Sequence, residues 1–268
     1  MSWIAVIVIA VVEGLTEFLP VSSTGHMVFT ASAFGIENEA FTKLFIETIQ
    51  FGAIISVILL YWKKFFDVKK LNIYLKLLVA FIPAAIVGVL LKKHIDTVLG
   101  NPLFIAIITF LGGILLIFVD KWFQHPQIDN IDNVNYKKSF MIGVFQLLAI
   151  ILPGFSRSAA TIIGGMQQKL NRKTAAEFSF FLAVPTLAGA FAKSLWDTYK
   201  DTPALLTSDN LQKLAAGNII AFIIAIIAIK TFIYIVTKYG FKWFGYYRIV
   251  IGALIIVLLS LGYSLNIS

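Results

Sequence analysis

The sequence predicts an all-α integral membrane protein with six transmembrane helices plus two Pro-interrupted re-entrant helix pairs related as an inverted repeat. Three observations lead there. Hydrophobic residues make up 59% of the chain and charged residues only 13%, against about a quarter charged in soluble domains. The apolar runs fall into two classes, those near the roughly 20 residues that cross a bilayer as a helix and two that are too short. Each short run ends in Leu-Pro, at Leu19-Pro20 and at Leu152-Pro153. The 268 residues suit one polytopic membrane domain, and the lack of cysteine excludes disulfides, thiol nucleophiles and thiolate metal sites. With only His26, His94 and His125 present, a histidine-rich zinc site is not expected.

The first run, residues 3–12, has no basic flank or cleavage site of a signal peptide and reads as mature protein. Too short to span, it fits an element that enters the membrane, turns at Leu19-Pro20 and returns through residues 27–34. Non-helical backbone at that depth survives only where protein or a wet cavity surrounds it, so the turn belongs inside the bundle. Glu13 and Glu17 are four apart and project from one helix face. Pro20 cannot continue that helix, and the hydroxyls of Ser22, Ser23 and Thr24 can cap a new one. Its free N–H groups would face the carboxylates, a place for an anion and a cation together. The competing reading is a wet amphipathic turn at the membrane surface.

Residues 41–62 can span, and their polar Glu47 and Gln50 are expected to face the bundle interior. Residues 73–91 and 103–119 are cleaner spans joined through Lys92-Lys93-His94-Ile95-Asp96, with Gly88, Gly112 and Gly113 available for close helix contact. The polar stretch 121–138 reads as a solvated linker between halves 1–120 and 139–268. Its Asp129 and Asp132 lack the alternation and closing Glu of a calcium loop.

The second short run, residues 140–152, leads into Pro153-Gly154-Phe155-Ser156-Arg157-Ser158-Ala159-Ala160-Thr161. An offset of 133 places Leu19-Pro20 on Leu152-Pro153, Ser23 on Ser156 and Glu13 on Gln146. Two short, interrupted apolar segments in matching positions are the sign of repeats whose broken helices meet at a central site. Arg157, deep in an apolar region, needs an anionic partner. Glu13, Glu17 or a bound phosphate could serve. The remaining spans are residues 178–192, interrupted by Pro185, then 214–236, with Lys230 near enough to an end to snorkel, and 244–263. Glu177 is expected to pair with Lys173 at i,i+4.

If both interrupted elements are re-entrant, three spans separate them and they open to opposite faces. Lys63, Lys64, Lys69, Lys70, Lys76, Lys121, Lys137, Lys138, Lys169, Arg172, Lys173, Lys238, Lys242 and Arg248, fourteen in all, then share one face. The other carries six: Lys43, Lys92, Lys93, Lys193, Lys200 and Lys213. By the positive-inside rule the first face is cytoplasmic, so the Glu13 to His26 loop opens outward and the Ser156-Arg157-Ser158 loop enters from the cytoplasm.

Glu13-Gly14-Leu15-Thr16-Glu17 with Pro20-Val21-Ser22-Ser23-Thr24-Gly25-His26, and Pro153 to Thr161 as quoted, resemble the two signature motifs of the bacterial undecaprenyl-diphosphatase, or bacitracin resistance, family. Glu177-Phe178-Ser179-Phe180 with Ala183-Val184-Pro185 is similar too, and the resemblance extends over essentially the whole chain. It implies dephosphorylation of undecaprenyl diphosphate on the outer side of the bacterial plasma membrane, recycling the carrier lipid for peptidoglycan. It also implies a divalent cation, and resistance to bacitracin, which sequesters the diphosphate.

The residues suit that chemistry. Phosphoryl transfer needs a nucleophile, a proton donor and stabilisation of developing charge. Glu13 and Glu17 can hold Mg²⁺ or Ca²⁺ together with substrate oxygens. Arg157, the hydroxyls of Ser22, Thr24, Ser156, Ser158 and Thr161, and the N–H groups after Gly154 can cradle phosphate. Ser23 is the expected nucleophile, with His26 as its base or as the acid for the leaving group; direct attack by His26 is the alternative. The same constellation would serve a polyprenyl-phosphate flippase, since inverted repeats of broken helices are also a transporter architecture. The expected partners are the lipid diphosphate and the bilayer, with no nucleic acid; a homodimer is compatible with the sequence.

Overall fold

The computed structural model describes residues 1–66, 71–91, 98 and 101–262. The first helical hairpin is α1 (Trp3–Thr16) and α2 (Ser23–Ala33), followed by α3 (Ala40–Leu60), the short α4 (Trp62–Phe65), α5 (Leu71–Leu90) and α6 (Pro102–Trp122). The second hairpin is α7 (Tyr136–Ile151) and α8 (Arg157–Gln167), followed by α9 (Arg172–Asp201), α10 (Ser208–Tyr239) and α11 (Lys242–Ser260). Hydroxyl and amide side chains start most of these helices, as their short acceptors should: Ser2, Asn101, Asn135, Asn171 and Thr207 each accept from an N–H of the first turn.

Six helices, α3, α5, α6, α9, α10 and α11, are long and apolar enough to cross a membrane, the number expected from the sequence. No strand occurs among the described residues beyond one isolated bridge between Ile128 and Leu170. The fourteen residues of α1 cannot span alone.

Packing follows a reciprocal pattern. Helix α1 lies against α10 and α7 against α5, so each hairpin leans on a span of the other half. Helix α3 packs on both α9 and α10, α5 on α9, and α6 on α11. Contact is closest where glycine removes a side chain: a Cβ on Gly143 would stand 2.1 Å from the Ala80 carbonyl oxygen, and one on Gly52 the same distance from that of Asn218. Gly112 and Gly113 likewise press on α11, whereas Gly88, expected at a helix contact, has nothing within 4 Å.

Several local expectations are corrected. Helix α9 runs unbroken through Pro185, with the Thr186 hydroxyl donating to the Leu182 carbonyl at 2.8 Å. Residues 121–138 are not simply a solvated linker, because Ile128, Ile131 and Val134 are buried in the main core. The Lys169 carbonyl accepts from the N–H groups of Gln127 and Ile128. Asp129 and Asp132 are exposed, as a solvated loop would have them. Glu177 pairs with Lys64 at 3.0 Å, across helices, in place of Lys173. The Lys92 to Asp96 connection and the expected end of the last span at residue 263 lie outside the described residues.

Candidate active site

Both hairpins turn through the same device. Ser22 caps α2 with φ 72° and Ser156 caps α8 with φ 78°, two of the three non-glycine residues with positive φ among those described. Such backbone costs on the order of 1–3 kcal/mol and persists where surroundings enforce it. Each cap oxygen accepts from the N–H three residues on, Gly25 at 3.4 Å and Ala159 at 3.3 Å. The matched caps stand 134 apart, since 156 minus 22 is 134. The offset of 133 therefore holds for Leu-Pro but slips by one at the caps, and the structural counterpart of Ser23 is Arg157, not Ser156. Gly154 takes up the extra residue at φ 97°, where a Cβ would lie 2.5 Å from the Ile105 carbonyl oxygen.

Ser23 and Arg157 thus open their helices, and both reach Glu17. The Ser23 hydroxyl donates to Glu17 Oε2 at 2.5 Å. Arg157 Nη2 donates to Oε1 at 3.0 Å, while Nη1 donates to the Ser179 carbonyl at 3.2 Å. Arg157 Nε–H is buried with no acceptor. One turn along α1, Glu13 is fully buried, its carboxylate faces that of Glu17, and neither of its oxygens is met by a hydrogen-bond donor. Groups left this way carry a desolvation penalty that a bound ligand can relieve. Gln146 on α7, matched to Glu13 by the sequence offset, is also buried without partners.

A cavity of about 370 Å³ joins Glu17, Ser23 and Arg157, while Glu13 and Gln146 are not among its lining residues. Glu17, Ser22, Ser23 and Thr24 line it from the first hairpin, and Pro153, Gly154, Ser156 and Arg157 from the second. Gln50 of α3 is the one polar residue lining it from the spans; Gly88, Ala149, Ile150, Leu187 and Ala190 supply an apolar wall. The cavity therefore places a carboxylate, a guanidinium and several hydroxyls beside a surface that suits hydrocarbon.

Besides Glu13, three expected residues lie outside the cavity lining. The Ser158 hydroxyl donates to the Phe18 carbonyl at 2.7 Å, fastening the second hairpin to the first turn. Thr161 is fully buried against Ser179, their oxygens 2.7 Å apart. His26 does not line the cavity. Its Nδ1 stands 2.8 Å from the Ser22 carbonyl oxygen, which only accepts, so Nδ1 carries the proton. In the neutral ring Nε2 then accepts from the Tyr247 hydroxyl at 2.7 Å. Both nitrogens are occupied, and the group in contact with the Ser23 hydroxyl is the Glu17 carboxylate.

Arg248, counted from the sequence among cytoplasmic surface charges, is fully buried. Its guanidinium donates to the carbonyls of Thr109 and Ile108 on α6, Pro20 in the first turn, and Gly154 and Phe155 in the second. No sequence pattern announces five backbone acceptors. For a metal, the donors at hand are the two carboxylates, because no group of three His, Cys, Asp or Glu able to hold an ion occurs among the described residues. Two carboxylates are the donor type that suits a hard, oxygen-seeking ion; Glu17 lines the cavity, and Glu13 stands one helical turn away, outside the cavity lining.

The family model for the bacitracin resistance protein BacA matches residues 6–254. The chain is 54% identical to a protein named undecaprenyl-diphosphatase from Flavobacterium psychrophilum, with 96% of each chain covered. It is 48% identical to the protein of that name from Porphyromonas gingivalis over the full length of both, and 47% identical to that from Bdellovibrio bacteriovorus over 99% of each. With both turn motifs inside the matched region, this chain belongs to the bacitracin resistance protein family.

Proposed function

We propose that this protein hydrolyses undecaprenyl diphosphate to undecaprenyl phosphate and inorganic phosphate, the activity its relatives are named for. The observation that carries the proposal is Glu17, which holds the Ser23 hydroxyl on one oxygen and Arg157 on the other at the wall of a half-apolar cavity.

In this reading the diphosphate enters between the hairpins and its prenyl chain follows the wall of Ala149, Ile150, Leu187 and Ala190. Ser23 Oγ attacks the terminal phosphorus as its proton passes to Glu17. The bond from that phosphorus to the bridging oxygen breaks, and undecaprenyl phosphate leaves with the bridging oxygen and its electron pair. Arg157, through the N–H that lacks an acceptor, stabilises charge on the terminal phosphate oxygens. Glu17 gives the first proton up to the departing phosphate, takes a proton from the water that attacks the phosphoserine, and returns it to Ser23 Oγ as the phosphorus–Oγ bond breaks and inorganic phosphate leaves. Ser22, Thr24, Ser156 and the N–H groups of the two helix starts complete the phosphate cradle. Glu13 and Glu17 would hold Mg²⁺ or Ca²⁺, which supplies charge neutralisation at the diphosphate when bound.

Purified protein in detergent, with no second compartment, should release phosphate from the lipid diphosphate. Excess chelator should stop release, and Glu17→Gln should abolish it with the fold intact. A lipid-phosphate transporter would release none. Full activity in chelator, or an active Glu17→Gln protein, would refute the metal and base roles.

The proposed setting is the bacterial plasma membrane, with the two hairpins re-entrant, inverted, and meeting at the site. Matched positive-φ caps and reciprocal packing support the repeat. Removing Arg248 from the count of fourteen leaves thirteen basic residues against six, so the positive-inside argument still directs the first hairpin outward. A homodimer is compatible with the arrangement. Because the sequence has no cysteine, Asn38→Cys gives a single probe on an exposed position after the first hairpin. It should react with a membrane-impermeant thiol reagent in spheroplasts; labelling only after lysis would reverse the orientation.

A further inference from the structure

Arg248 is a buried cation that pairs with no carboxylate among the described residues. All of its recorded partners are backbone carbonyls: Nη1 reaches Pro20 at 3.0 Å and Phe155 at 2.7 Å, Nη2 reaches Gly154 at 2.8 Å, and Nε reaches Thr109 at 3.1 Å. A buried guanidinium is costly and is retained where its rigid, planar set of donors has a job that other residues cannot do. Here one planar group ties together the turns of both hairpins and fixes them to α6.

Its acceptors sit just before the two helix caps. Pro20 is two residues before Ser22, and Gly154 and Phe155 immediately precede Ser156. The next residues along are Ser23 and Arg157, which meet on Glu17. The neighbour of Arg248 on α11 grips the same first turn from a second point: the Tyr247 hydroxyl holds His26, and His26 holds the Ser22 carbonyl. The slot is built for the guanidinium, since a Cβ on Gly112 would lie 2.3 Å from Nη2 and one on Gly113 2.9 Å from Arg248 Cβ.

We propose that Arg248 is a positioning residue: it sets the gap between the two hairpin turns, and thereby the alignment of the Ser23 hydroxyl and the Arg157 guanidinium across the scissile phosphate. This rests on the site assignment above. A lysine offers three donors around one point and cannot span both turns and α6. Small misplacements of reacting groups can cost about a hundredfold in rate, and the loss should fall on kcat, because the groups that bind phosphate are still present.

The test uses Arg248→Lys and Gly112→Ala, the second keeping the cation while crowding it off its carbonyls. For each, kcat, KM and thermal unfolding are measured in detergent. Independently of turnover, the distance between spin labels on Ser32→Cys of α2 and Gln167→Cys of α8 is recorded in the otherwise cysteine-free chain. The expected result is a fall in kcat of about a hundredfold for Arg248→Lys, a smaller fall for Gly112→Ala, KM nearly unchanged, and a shifted or broadened label distance in both. Parental kcat, a loss of activity that only tracks the folded fraction, or an unchanged label distance in the folded variants would overturn the proposal. A changed distance in a chain whose Ser23→Ala form remains active would instead uphold the clamp and fault the site assignment.

Discussion

Ser23→Ala is expected to lower phosphate release by at least about a thousandfold, the scale seen when the nucleophile of a covalent mechanism is removed. The hydroxyl stands 2.5 Å from Glu17 Oε2, so the oxygen that attacks and the carboxylate that takes its proton are already in contact. Stability should fall by about 1.5–3 kcal/mol, the scale of one hydrogen bond to a charged group, and Glu17 keeps its bond to Arg157. His26→Ala, by contrast, should slow turnover without abolishing it. Its ring nitrogens hold Ser22 and Tyr247, so its loss loosens the cap beside Ser23 and takes no group away from the phosphorus. Near-normal turnover in Ser23→Ala would transfer the attack to His26 or to water.

The second large effect is expected at Arg157→Lys, a fall of about a hundredfold or more in kcat, comparable to the loss of an oxyanion donor. In the parent, Nη1 and Nη2 are spread between the Ser179 carbonyl and Glu17 while Nε–H faces no acceptor. A lysine ammonium can retain the ion pair but not this spread, and it offers phosphate no planar fork. If Arg157 served only to pair with Glu17 and fix the hairpins, the Lys variant would lose thermal stability together with activity. The phosphate role predicts a melting temperature close to that of the parent. A Lys variant as active as the parent would count against both roles.

The six spans were legible because apolar length is a direct physical requirement of the bilayer, and the hairpins because proline marks where a short apolar helix must stop. The meeting of the two turns was legible in outline from the buried charge of Arg157, which had to find an anion. The slip from 133 to 134 was not. It depends on Gly154 absorbing one residue at positive φ, and an alignment of Leu-Pro with Leu-Pro carries no record of backbone angle. Arg248 was misread for a related reason: near the start of a span a cation is ordinarily wet, and its acceptors are carbonyls contributed by three separate parts of the chain. The hydrogen-bond partner of the His26 ring, Tyr247, lies 221 residues away in sequence, a pairing that residue type alone does not announce. Gln50, by contrast, was rightly placed toward the bundle interior as a polar group within a span, and it lines the cavity.

Ser23 is expected to become phosphorylated during turnover. Substrate labelled in its terminal phosphate, mixed with the protein and quenched in acid within the first turnovers, examines that step directly. The account predicts protein-bound label that is stable to acid, labile to base and located on Ser23. Label that is lost in acid, survives base and maps to His26 would contradict it.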